Sequence, residues 1–135
     1  MTLVIDASVA LKWFVQEDGS DRAAALLETA ELLIAPELII AEVCNAGWKA
    51  VRNGTAVPNQ LEIAAARLPL VLDELVPMAE LAVAATAAAM TLDHPVYDCF
   101  YLALAEQYDV RLVTADRKLL RKVARTSWEA RIDAL

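Results

Sequence analysis

Two short strand-like runs, each followed closely by an aspartate, constrain this chain more than any other feature. Thr2 to Ile5 is partly β-branched and stops at Asp6, and Val110 to Thr114 leads to Asp116. The first run suits a strand buried on both faces of a parallel sheet, and the second reads as a clear strand. The segments between read as helices with marked ends. Ser8 to Val15 is helical, Gly19 and Ser20 break the chain, and Ser20 with Asp21 caps a helix through Leu32 whose apolar positions are Ala23, Leu26, Leu27 and Ala30. Leu33 to Ala35 is a brief strand, Pro36 pre-sets a helix over Glu37 to Arg52, and Asn53 with Gly54 forms a left-handed cap at its end. Pro58 opens a helix to Leu68, Leu70 to Val76 reads as a third strand, and Pro77 starts an alanine-rich helix to about Leu92. Asp93 to Val96 turns into a helix ending near Tyr108, and Asp116 to Arg125 forms a last helix, after which residues 126–135 carry no clear pattern. Strands alternating with helices predict the α/β class: a three-layer α/β/α sandwich around a central, mostly parallel sheet, in one domain over residues 1–135.

Composition removes several function classes. Only 3 of 135 residues are glycine, too few for a phosphate-cradling glycine loop. Cys44 and Cys99 fit neither a disulfide framework nor a zinc spacing, which points to a reducing cytoplasm. Asp6 interrupts the N-terminal apolar run where a secretory signal needs continuity. Met78 to Leu92 is 15 residues long and carries Glu80, short of the roughly 20 apolar residues that span a bilayer, so no membrane association is expected. The net charge of −7 opposes nucleic-acid binding as a whole, yet six of the 12 basic residues fall between Arg111 and Arg125. Arg117, Lys118 and Arg121 in that island, with Lys12, Lys49 or Arg52 on the same rim, are candidates to guide RNA phosphates; a solvated helix face is the alternative.

Four carboxylates stand at telling places. Asp6 and Asp116 follow the ends of the two clearest strands, where ligands bind in open α/β sheets, although each could simply cap a helix. Glu42 shares a helix face with Leu38, Ile39, Val43 and Ala46, and burying a carboxylate costs several kcal/mol unless a partner compensates it. A structural ion pair is the alternative reading of Glu42. Asp98 is the lone acid in the apolar helix start Val96 to Ala105, where it could also serve as a favourable charge at the positive helix end. Convergent anions repel one another by about 1–4 kcal/mol per close pair, a cost that a hard divalent cation reverses. An all-oxygen ligand set favours Mg²⁺, or Mn²⁺, over zinc. Such a centre suits metal-assisted phosphodiester cleavage, with a carboxylate taking the proton of the attacking water.

The same residues resemble a known family. Val4-Ile5-Asp6-Ala7-Ser8-Val9-Ala10 with Leu11-Lys12-Trp13-Phe14, Pro36-Glu37-Leu38 through Glu42 and Asn45, Tyr97-Asp98 with Tyr101 to Ala105, and Leu112-Val113-Thr114-Ala115-Asp116-Arg117-Lys118-Leu119 resemble, in order and spacing, the four acidic motifs of PIN-domain ribonucleases. The resemblance is strongest to VapC-type toxins of bacterial toxin–antitoxin pairs and spans nearly the whole chain. It implies a PIN-like fold and a magnesium-dependent endoribonuclease acting on RNA. Asp6 and Asp98 would be the most direct metal ligands, and Asp116 and Glu42 would complete the acidic catalytic site. Ser8, Asn45 and Thr114 would be supporting polar groups, although Ser8 and Thr114 could equally cap helices. The resemblance further implies a homodimer silenced by a small antitoxin whose C-terminal segment lies across the groove, where an arginine would find the acidic centre.

Other features carry less. Trp13, Phe14, Trp48 and Trp128 suit core packing or a dimer surface better than base stacking, and His94, beside Pro95 in a turn, has no placed partner and no assigned role. A receiver-like Mg²⁺-binding domain would need an acidic pair after the first strand and a lysine after a late one; Asp6-Ala7 and Thr114-Ala115 supply neither. A non-catalytic interaction module, its acids docking a basic partner, stays open.

Overall fold

A computed structural model describes residues 1–135 throughout. Its centre is β1 (Thr2–Ile5), flanked by β2 (Leu32–Pro36) and β4 (Arg111–Thr114), with β3 (Glu74–Val76) and β5 (Ile132–Ala134) at the edges. The order is β3-β2-β1-β4-β5 and every pairing is parallel, with Val4 opposite Ile34 on one side and Leu112 on the other. The expected mostly parallel sheet is therefore parallel throughout. Val4 and Ile5 are fully buried, as a central strand covered on both faces requires. Consecutive strands run outward from β1 to β3, and the chain then returns to the other side of β1. The reversal between β1 and β4 opens a crevice at their carboxyl ends.

The helices cover the two faces of this sheet: α1 (Ala7–Ala10), α2 (Ser20–Thr29), α3 (Leu38–Arg52), α4 (Pro58–Val71), α5 (Met78–Leu92), α6 (Val96–Tyr108) and α7 (Arg117–Val123). On α3 the buried positions Ile39, Val43 and Gly47 recur every four residues and form one stripe. Gly47 is where α4 approaches most closely, since a Cβ there would come within 2.6 Å of the Leu61 side chain. The alanine-rich α5 buries Leu81, Ala85, Ala88 and Leu92, and it packs against α6, which buries six residues from Cys99 to Ala105. Neither these helices nor any other is long and apolar enough to cross a membrane.

Several boundaries differ from expectation, each for a local reason. The first helical stretch is only α1 followed by a 3-10 turn over Leu11–Trp13. Gly19, at φ +86°, rather than Ser20, precedes α2; the Ser20 hydroxyl instead donates to the Val15 carbonyl and accepts the Glu17 N–H. That helix ends at Thr29, because Leu32 is already in β2. Pro69 does not stop α4: the helix runs to Val71 because Leu68 and Leu72 both anchor in the core, and the third strand shrinks to Glu74–Val76. Asp73 caps the gap by accepting the Leu33 N–H at 2.7 Å. Gly54 takes the expected left-handed conformation, while Asp93 and Asp109 do the same at the ends of α5 and α6 in a chain poor in glycine. The unpatterned C-terminal segment contains β5, an edge strand of three residues held by a paired Arg111 and Asp133 and by the Leu135 N–H on the Thr114 carbonyl.

Candidate active site

Asp6 leaves β1 at the crevice. Its N–H bonds the Val113 carbonyl at 3.1 Å, continuing the sheet by one residue, and its carbonyl accepts the N–H groups of Val9 and Ala10 to start α1. The side chain does not cap that helix. It is buried at 5% exposure, and its Oδ2 accepts hydroxyl protons from Ser8 and, at 2.8 Å, from Thr114. The two hydroxyls are themselves anchored: Ser8 Oγ accepts the Ala115 N–H and Thr114 Oγ1 accepts the Asp116 N–H, both at 3.0 Å. The ends of β1 and β4 are thereby joined through one carboxylate. Asp116 does act as a cap, its Oδ1 accepting the N–H groups of Lys118 at 2.9 Å and Leu119 at 3.2 Å.

The other two acids come from helices. Glu42 on α3 is half-buried, and the fully buried Tyr101 on α6 donates its hydroxyl to Glu42 Oε1 at 2.7 Å. It makes no ion pair, so the structural-pair reading of Glu42 is not what the fold uses. Asp98 lies in the first turn of α6, where His94 Nε2 meets its Oδ2 at 2.7 Å. His94 is itself 9% exposed, and its backbone N–H bonds the Ala89 carbonyl.

All four acids line one groove of about 450 Å³, together with Ser8, Asn45, Lys12, Lys49 and a fifth acid, Glu17, which is paired with Lys12. Thr114 is fully buried and lines not this groove but a cavity beside it. In each of the four carboxylates the protein's own donors reach a single oxygen, Oδ2 of Asp6 and Asp98, Oε1 of Glu42 and Oδ1 of Asp116. No buried side-chain nitrogen or oxygen lacks a partner, so the second oxygen of Asp6 opens to the groove. The shared field is visible in protonation. Burial raises the Asp6 carboxyl above its ordinary value, the Ser8 and Thr114 hydroxyls oppose the shift, and the charges of Asp98 and Asp116 add to it. Glu42 is raised in the same way, by burial first and then by Asp6 and Asp98, against the Tyr101 hydrogen bond. Burial and the Asp98 charge push the Cys99 thiol up to about 11, so Cys99 stays protonated at neutral pH.

The donor set fits a hard divalent cation. It is all oxygen, each acid has an oxygen in reserve, and two of the acids carry charge that the protein leaves uncompensated. It is not a closed cage, since no three acidic, imidazole or thiol side chains stand in a ready-made ligand arrangement. An open groove is what a site shared with a substrate needs.

Of the basic candidates, Arg117 lines a separate cavity beside the groove, while Lys118 and Arg121 are exposed on α7 and line neither. Trp13 packs inward with its indole N–H on the Ala23 carbonyl, Phe14 and Trp128 pack against the core, and Trp48 is half-exposed beneath the Arg52 guanidinium. Sequence reasoning missed the partners of the helix-borne acids. The i,i+4 spacing of His94 and Asp98 was a usable signal, hidden by the turn at Pro95. Tyr101 gave only the weaker hint that a buried tyrosine hydroxyl needs an acceptor.

Residues 3–126 match the family model of the PIN domain. Ribonuclease VapC3 of Pyrobaculum aerophilum is 33% identical over 124 residues, covering 90% of this chain and 95% of the relative. Among solved structures, PAE2754 from Pyrobaculum aerophilum superposes with a TM-score of 0.69 at 25% identity, over 98% of this chain and 83% of that one. A toxin-antitoxin complex from Klebsiella pneumoniae shares the fold with a TM-score of 0.65 at 15% identity, over 97% of this chain and 95% of that one. A parallel sheet with its acids gathered at the β1/β4 crevice, a family match across most of the length and a full-length relative agree, and the chain belongs to the PIN domain family.

Proposed function

We propose that this chain, acting as one domain, is a metal-dependent endoribonuclease and the toxin of a toxin–antitoxin pair, with Asp6, Glu42, Asp98 and Asp116 as its catalytic and metal-holding residues. The observation that carries this reading is the shared groove, in which four carboxylates each keep one oxygen free of the protein's own donors. The 33% identical relative named a ribonuclease supports the same chemistry.

Bound Mg²⁺, or Mn²⁺ in its place, would supply positive charge to the scissile phosphate and to the leaving oxygen. Asp6 and Asp98 would hold it most directly, Asp6 held in place by Ser8 and Thr114 and Asp98 by His94. Asp116 completes the set from the N-terminus of α7. Glu42 is raised above the ordinary carboxylate value by burial and faces the groove, which suits it to accept the proton of the attacking water. Asn45, on the same helix and lining the groove, offers an amide to orient that water or the phosphate.

The partners follow from the same surface. A small antitoxin would reach the free carboxylate oxygens with an arginine, in charge-assisted hydrogen bonds. Val83 and Met90, seven residues apart on α5 and 86% and 81% exposed, give an apolar stripe suited to a homodimer. The free Cys44 and Cys99 fit a reducing cytoplasm.

The test is cleavage of a mixed cellular RNA pool by the purified protein and by Asp98→Asn, with Mg²⁺ and with EDTA, after removal of any co-purified partner. Discrete fragments made only by the unmodified protein with metal are expected. Inert protein that still binds a small basic partner would overturn the enzyme reading in favour of an interaction module.

A further inference from the structure

A second cavity, of about 220 Å³, adjoins the acidic groove, and Lys12 and Ala115 line both. Its lining is richer in cations, with Lys12, Arg22 and Arg117 against one acidic side chain, Asp18. Arg22 on α2 and Arg117 at the start of α7 line it, 95 positions apart in sequence and brought together by the return of the chain to β4. Neither guanidinium has an ion-pair or hydrogen-bond partner within the protein, in contrast to Arg111 and Arg131, which bind Asp133 and Asp109. Lys12, by comparison, is committed: its ammonium donates to Glu17 Oε1 at 3.0 Å and to the Asp18 carbonyl at 2.7 Å. The Arg22 head turns back over Gly19, whose missing Cβ would stand 3.1 Å from Nη2 and 3.5 Å from the Lys12 side chain. Gly19 is left-handed there, at φ +86°, so the turn that starts α2 also leaves room for the guanidinium.

Resting on the nuclease reading above, we propose that Arg22 and Arg117 form a phosphate subsite that holds the RNA backbone beside the scissile phosphodiester. Two planar forks at one cavity match phosphate oxygens bidentately, which surface lysines do not. On a chain of net charge −7, a local pair of uncommitted cations next to the acidic groove gives the strand a place to be held where the field as a whole repels it. Lys118 and Arg121, which the sequence grouped with Arg117, do not line this cavity and are not part of the subsite.

The test is equilibrium binding of a labelled single-stranded RNA, with Mg²⁺, to the inactive Asp98→Asn protein and to the same protein carrying Arg22→Gln, Arg117→Gln, both, or Lys118→Gln with Arg121→Gln. Each subsite change is expected to lower the slope of log affinity against log salt by about 0.7, and the double change by about 1.4, while the α7 pair leaves the slope unchanged. Unchanged slopes in the arginine variants, an equal loss in the α7 pair, or no binding even at low salt would overturn the subsite. The nuclease reading is scored separately by the metal-dependent fragments of the unmodified protein. Cleavage with unchanged arginine slopes removes only the subsite, whereas arginine-dependent binding without cleavage leaves a phosphate-binding surface and removes the nuclease.

Discussion

The two acids at the strand ends and the two on helices are held in different ways. Asp6 and Asp116 are fastened by groups within a few residues of the β1/β4 crevice: two hydroxyls for Asp6 and two backbone N–H groups for Asp116. Glu42 and Asp98 each depend on a single side chain, Tyr101 across 59 positions and His94 across four. The strand acids therefore inherit their positions from the sheet, whose geometry the core enforces. The helix acids inherit theirs from how α3 and α6 pack and from one hydrogen bond each. A substitution at the sheet should strike chemistry directly, and one at a helix partner should loosen it.

The largest effect is expected at Asp6. Asp6→Asn keeps an acceptor for Ser8 and Thr114 but removes the charge, and RNA cleavage should fall by about 10³-fold with Mg²⁺ present, read from initial rates. Retained cleavage would remove Asp6 from the metal-holding set. Next come Tyr101→Phe and His94→Gln, each expected to weaken Mn²⁺ binding, followed by titration calorimetry, and cleavage by about 10–100-fold. Thr114→Val, which leaves Ser8 on Asp6, should cost less than either; the reverse order would mean that the helix acids are as rigidly placed as the strand acids.

Stability in EDTA should move the other way. The folded-state values of Asp6 and Glu42 lie above their ordinary ones, so the stability each contributes is full below the ordinary carboxylate value and is lost as pH rises through the raised one. Asp6→Asn should therefore stabilise the metal-free protein at neutral pH, by about 1 kcal/mol, with the gain shrinking towards pH 4 and in millimolar Mg²⁺; urea unfolding at several pH values reads it. The smallest effect separates the two jobs of Asp116. Asp116→Ala should lose the α7 cap, about 1 kcal/mol, while Asp116→Asn keeps the cap within a few tenths and loses only the charge.

Much of this is legible in the sequence. A carboxylate just past an apolar strand sits at the open end of a parallel sheet whatever the details of packing, so Asp6 and Asp116 could be read from a few residues each. Glu42 was readable as the one charge in an apolar stripe, and in the structure it shares the groove of the other three. The edge strand Ile132–Ala134 was not, because three residues carry no period and its pairing depends on Arg111, Asp133 and Thr114. The passage of α4 through Pro69 was not either, since burial of Leu68 and Leu72 outweighs a local breaker only once the core exists.

By itself, then, the sequence determined the class of fold and singled out four acids that the structure brings to one groove, because strand and helix periodicity and the cost of buried charge act over a few residues. Tertiary structure alone decided which groups meet across long separations: Tyr101 with Glu42, Thr114 with Asp6, and Arg22 beside Arg117. Those meetings depend on strand order and on how helices cross the sheet, and no local pattern encodes them.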